Sequence, residues 1–194
     1  MSIFRLVRQS PFVFLLALLP VVLTELSFAE GNNDYEKTVA QWQSYKDVGK
    51  WLENNFTFDL NRARYARARV VSQGPSGLVV HPASKTFSEK RGYCVDAAAF
   101  SMDALSKINP AYQPRWIFVK NKMSGEPSHW VVGFMVEEKL YVMDYGAGPE
   151  WWTMKGLHGP YSSLDEYAEF LGTLHIRGFS VDKVIWYEMP GMPD

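Results

Sequence analysis

Lys90-Arg91-Gly92-Tyr93-Cys94-Val95-Asp96-Ala97-Ala98-Ala99 holds the single cysteine of the chain and sets it where a glycine-containing loop gives way to alanine-rich, helix-favouring sequence. A thiol in the first turn of a helix lies near backbone N–H groups that have no intrahelical partner and near the positive end of the helix dipole. That setting favours the thiolate, the form that acts as nucleophile. After Cys94, the residues Val95, Ala98, Met102, Leu105 and Ile108 fall on one helical stripe, and Asn109-Pro110 stops the pattern. The spacing predicts a helix buried along one side with the cysteine at its start. Asp96 in its first turn reads as a carboxylate that stabilises the helix N-terminus.

Partners for the thiol lie downstream. Trp116 to Val119 reads as a strand, and a polar loop from Lys120 to Ser128 follows it. His129-Trp130-Val131-Val132-Gly133-Phe134-Met135-Val136, a turn at Glu137-Glu138-Lys139, and Leu140 to Tyr145 then predict an antiparallel hairpin. His129 opens its first strand and Asp144 closes its second, so the hairpin returns both to the same end of the ribbon. Cys94, His129 and Asp144 are the ingredients of a nucleophilic triad, in which the imidazole withdraws the thiol proton and the carboxylate holds the imidazole in the right tautomer.

Before the cysteine, Tyr35, Val39, Trp42, Tyr45, Val48 and Leu52 recur every three or four residues and predict one amphipathic helix from Asp34 to about Asn54, with an irregular or extended stretch from Asn55. Arg62, Arg64, Arg67 and Arg69 read as a solvated face, with an anion-binding patch as the sharper alternative. Leu78 to His81 reads as a short strand ended by Pro82, and His81 as a loop or surface histidine. After Gly146-Ala147-Gly148-Pro149 comes a loop with Trp151, Trp152 and His158. Ser163-Leu164-Asp165-Glu166 has capping-box form and starts a helix, and Val181 to Tyr187 is a last strand.

Of the 194 residues, 47% are hydrophobic and 21% charged, a balance that suits one globular domain with a real core. A net charge of −1 argues against nucleic acid or an anionic membrane surface as partner. Arg5 and Arg8 precede the apolar run Phe12 to Leu23, and Ser27-Phe28-Ala29 follows, the form of a signal peptide cleaved after Ala29. About 12 apolar residues interrupted by Pro20 are too few for a membrane span. The reading is therefore a signal peptide at 1–29 and a single domain at 30–194, exported to the periplasm or secreted. An odd cysteine in an exported chain is a buried bystander, half of an intermolecular bridge, or a reactive thiol. No cofactor is expected, and with no CxxC or HExxH spacing no metal site is either.

Arg91 to Ala98, Ser128 to Val132 and Tyr141 to Asp144 together resemble the transglutaminase-like cysteine proteases and acyltransferases of papain-like fold, most closely in the Cys-x-Asp-x-Ala form of exported bacterial members. The order Cys, His, Asp agrees, as do the intervals of 35 and 15 residues, and the resemblance runs over about residues 48–146. It implies an α+β fold in which the Cys-bearing helix packs on an antiparallel sheet carrying the His and the Asp. It also implies chemistry through a thioester acyl-enzyme, released to water by a peptidase or amidase or to an amine by a transglutaminase. A non-catalytic module binding a peptide or cell-wall component in a groove lined by Tyr93, Trp130, Trp151 and Trp152 is the remaining alternative. Papain relatives carry a Gln before the nucleophile as an oxyanion donor. Phe87-Ser88-Glu89-Lys90 offers none, which leaves the Cys94 N–H as one donor and Tyr93 or an aromatic of the first helix as candidates for the second.

Overall fold

The computed structural model describes residues 33–124 and 127–191. The expected signal peptide at 1–29 lies outside the described residues. Residues 33–39 form α1, followed by α2 (Tyr45–Asn55), a short strand β1 (Thr57–Phe58), α3 (Leu60–Gln73), α4 (Ala83–Glu89), β2 (Arg91–Gly92) and α5 (Cys94–Ile108). Strands β3 (Arg115–Asn121), β4 (His129–Val136), β5 (Lys139–Asp144) and β6 (Gly156–Tyr161) come next, then α6 (Leu164–Thr173) and β7 (Val181–Tyr187). Strands β3 to β7 make one antiparallel sheet in the order β6-β5-β4-β3-β7, while β1 and β2 pair in parallel as a separate ribbon. The result is the expected α+β arrangement.

Alternation along the strands decides what covers each face of the sheet. Val132 and Phe134 of β4 and Met143 of β5 point to one side, where they meet Ala97, Phe100, Ala104 and Leu105 of α5, Val48 and Leu52 of α2, and Tyr35 and Val39 of α1. The residues between them, Val131 of β4 with Leu140 and Val142 of β5, join Ile117 and Val119 of β3 on the opposite side, under Tyr167 and Leu171 of α6. A sheet buried on both faces needs apolar side chains at nearly every position, which explains the continuous run in β4. Val136 pairs with Lys139, so the β4–β5 turn is two residues, Glu137 and Glu138, both at positive φ (51° and 63°), as the twist of such a hairpin demands.

Four local expectations are corrected. The first helix is two helices, broken at 40–44, because the Asp47 carboxylate accepts the backbone N–H groups of Gln43 (2.9 Å) and Ser44 (3.0 Å) and starts a new helix there. The apolar spacing runs through the break because both helices face the same cluster. The arginine-rich stretch is itself a helix, α3, capped by Asp59, whose side chain accepts the Arg62 N–H at 3.0 Å. Residues 78–81 pair with no strand, and Pro82, read as a stop, is instead the N-cap of α4. Strand β6, at 156–161, falls where a loop was expected; it is an edge strand, which tolerates its Pro160. Among the described residues no helix is long and apolar enough to cross a membrane.

Candidate active site

The N-terminus of α5 meets the end of the sheet at which β4 begins and β5 stops. The register places Val132 opposite Met143 and so sets His129 and Asp144 diagonally on one face, the α6 face. His129 Nε2 lies 2.7 Å from Asp144 Oδ2, with the two residues 2% and 1% exposed. That bond leaves Nδ1 as the ring nitrogen for another partner, and the half-buried Cys94 side chain is within hydrogen-bonding reach of the ring. Burial by itself pulls the His129 pKa down, but the Asp144 carboxylate and the Cys94 sulfur outweigh it and leave the pKa raised to about 10. The imidazole is thus held in a setting that favours its protonated form.

Two features fix Cys94 in place. The first is Asp96, wholly buried, whose carboxylate accepts Arg62 Nε (2.5 Å) and Nη2 (2.7 Å) and the backbone N–H groups of Tyr93 (3.1 Å) and His81 (2.8 Å). One carboxylate ties α3, the 78–82 segment and the first turn of α5 together. Arg62 is therefore an internal anchor and not part of a solvated face. Burial lowers its pKa, and the Asp96 bond and charge more than offset that, for a net rise. The second is Gly146, where an added Cβ would lie 2.4 Å from Cys94 Cα, a contact backbone cannot relieve without moving. Gly146→Ala is expected to cost about 1–3 kcal/mol in urea unfolding and to slow alkylation of Cys94. Gly172→Ala, where an added Cβ meets nothing within 4 Å, is the control and should not destabilise.

The sequence model of the family described as a transglutaminase-like domain matches residues 30–151, a span that contains Cys94, His129 and Asp144. The chain belongs to this transglutaminase-like family. None of the curated proteins compared with it matches. The matched span of the transglutaminase-like domain ends inside the Pro149–Met154 turn, so β6, α6 and β7 lie beyond it.

The other residues singled out from sequence distribute unevenly around this centre. Trp151 stands edge-on to the His129 ring, with centroids 5.8 Å apart at 87°, and is backed by Phe179 at 5.1 Å. Trp152 beside it is 71% exposed. Trp130 points to the α5 side of the sheet and packs with Trp116, Phe118 and Tyr187. Tyr93 is 6% exposed, with Arg62 over its ring and its hydroxyl 3.4 Å from the Val79 carbonyl. The aromatics of the expected first helix are engaged in the core: Tyr35 donates to Asp103, Trp42 and Trp51 pack on Phe100, and Tyr45 packs on Phe134. His81 is not at the surface; its side chain is 11% exposed, and burial first of all lowers its pKa. His158 bonds the Met154 carbonyl at 2.6 Å. Sequence reasoning missed the roles of Arg62 and Gly146. Both carried a local signal in retrospect, an arginine beside an N-cap and a glycine just after a strand, but neither announces its distant partner. Among the described residues no group of three or more His, Cys, Asp or Glu side chains is arranged to hold a metal ion.

Proposed function

We propose that the chain is an exported cysteine hydrolase that cleaves a peptide or amide bond through a thioester, with Cys94 as nucleophile, His129 as general base and acid, and Asp144 orienting His129. The observation that carries this reading is the commitment of His129 Nε2 to Asp144, which directs the other nitrogen to the thiol at the α5 N-terminus. His129 takes the thiol proton, and the thiolate attacks the carbonyl carbon. The backbone N–H of Cys94 faces the oxygen that gains charge. The C–N bond then breaks, the leaving amine takes the proton from the imidazolium, and a thioester remains on Cys94. Water attacks the thioester with His129 again as base, releasing a carboxylic acid and the free thiol. An amine in place of water gives transamidation by the same steps, and abundant water outside the cell favours hydrolysis. The substrate is a protein or peptide, with envelope proteins the first class to test, lying across Cys94 beside Trp151 and Trp152; Tyr93 and Trp130, packed on the α5 side, support the wall there from within.

Cys94 should react with iodoacetamide at mildly acidic pH about tenfold or more faster than a free thiol, and His129→Ala should remove the excess. Equal rates in the two proteins would refute the nucleophile assignment. For the substrate, wild type and Cys94→Ala are incubated with envelope extract and compared by mass spectrometry. New peptide termini support hydrolysis, new isopeptide links support transamidation, and neither supports a binding module.

A further inference from the structure

Two buried polar atoms behind His129 have no protein hydrogen-bond partner: Asp144 Oδ1 and the Tyr167 hydroxyl. Asp144 spends its other oxygen on His129. Tyr167, on α6, is completely buried and belongs to the apolar cluster that also contains Val131 and Val142, the residues next to Asp144 on the same sheet face. An unpartnered carboxylate oxygen and an unpartnered hydroxyl are each costly in such surroundings, and one accepts what the other donates. Burial first, then the Asp144 charge and Tyr161, push the ionisation of Tyr167 well above its ordinary value, so the hydroxyl keeps its proton opposite the carboxylate. Tyr167 also lies beyond the span that matches the transglutaminase-like family.

We propose that Tyr167 is a positioning residue that holds the Asp144 carboxylate from behind, its hydroxyl donating toward Oδ1 through one ordered water. The inference rests on the role given to Asp144 above. Asp144 Oδ1 and the Tyr167 hydroxyl give such a water two polar partners, the least a buried water takes. The hydroxyl fixes the plane of the carboxylate, and its dipole draws off part of the charge that Asp144 exerts on His129. The groups that face His129 are Asp144 and Cys94; those that face Tyr167 are Asp144 and Tyr161.

Tyr167→Phe removes the hydroxyl and keeps the ring. With the dipole gone, Asp144 holds the imidazolium proton more tightly, so the His129 titration, followed by NMR of its ring signals, should move upward by about half a pH unit. Tyr161→Phe should leave it in place. A Tyr167 that only fills space gives an unmoved midpoint, and that result overturns the proposal. Independently of any catalysis, the urea midpoints of Tyr167→Phe, Asp144→Ala and the double variant should be non-additive, the double variant losing less than the two single losses together. Additive losses overturn the coupling. A protein with coupled midpoints but no fast thiol alkylation would instead sink the hydrolase reading and leave the Tyr167–Asp144 link standing; if Asp144→Ala fails to fold, the NMR titration of Tyr167→Phe decides alone.

Discussion

Asp144→Asn is expected to lower amide turnover on the order of 10⁴-fold with little change in fold. The substitution keeps the shape of the side chain and an atom able to bond His129, but it removes the charge. Opposed influences act on the imidazole: burial pulls its pKa down, and the charges of and bonds to Asp144 and Cys94 raise it to about 10. Without the charge the strongest influence opposing burial is gone, so the His129 pKa falls and the ring stabilises a thiolate beside it less well. The excess alkylation of Cys94 at mildly acidic pH should vanish with the turnover. Stability carries the same signature. In the wild type the folded-state pKa lies above the ordinary value of 6.5, so the stabilisation from this group is complete below pH 6.5 and is lost as pH rises through about 10. Urea midpoints measured across that interval should fall in the wild type by more than in Asp144→Asn. Parallel curves, or wild-type alkylation in the variant, would show that the carboxylate does not control His129.

Asp96→Ala should destabilise the fold by about 3–5 kcal/mol in urea unfolding, the cost of breaking a buried ion pair from one side. The change strands the Arg62 guanidinium, whose side chain is 15% exposed, and leaves the Tyr93 and His81 N–H groups without their acceptor. It also opens space beside Gly92, where an added Cβ would lie 2.9 Å from Asp96 Oδ2 and 3.1 Å from its Cγ, the atoms the change removes. Arg62→Met with Asp96 intact should cost in the same range, because the uncompensated charge is then the carboxylate. Because Asp96 sits two residues from Cys94, the alkylation rate of the folded fraction should fall as well. A cost below about 1 kcal/mol would mean that the pair contributes no more than a surface salt bridge.

The elements read correctly from sequence are those whose signals are local. The limits of α5, Cys94–Ile108, coincide with a stripe of apolar residues and an Asn-Pro stop, and those of β4, His129–Val136, with a run bounded by a polar loop and a tight turn. Helix α3 escaped notice because only Ala66 of its 14 residues is buried, so its apolar spacing is faint, and the N-cap at Asp59 was its one firm signal. The break between α1 and α2 was written in Ser44-x-x-Asp47, but periodicity on both sides concealed it. Strand β6 exists because β5 offers it an edge to pair with, and its own sequence, with two glycines and a proline, has little strand character.

The order of Cys94, His129 and Asp144, the helix that begins at the first and the hairpin that carries the other two were determined by the sequence alone, since side-chain periodicity and turn chemistry act over a few residues. The tertiary structure decided which nitrogen of His129 faces Asp144, how Arg62 reaches Asp96 across 34 positions, why position 146 has no room for a Cβ, and what stands behind Asp144. These are contacts between segments far apart in the chain, and whether a buried polar atom finds its partner depends on packing that no local pattern encodes.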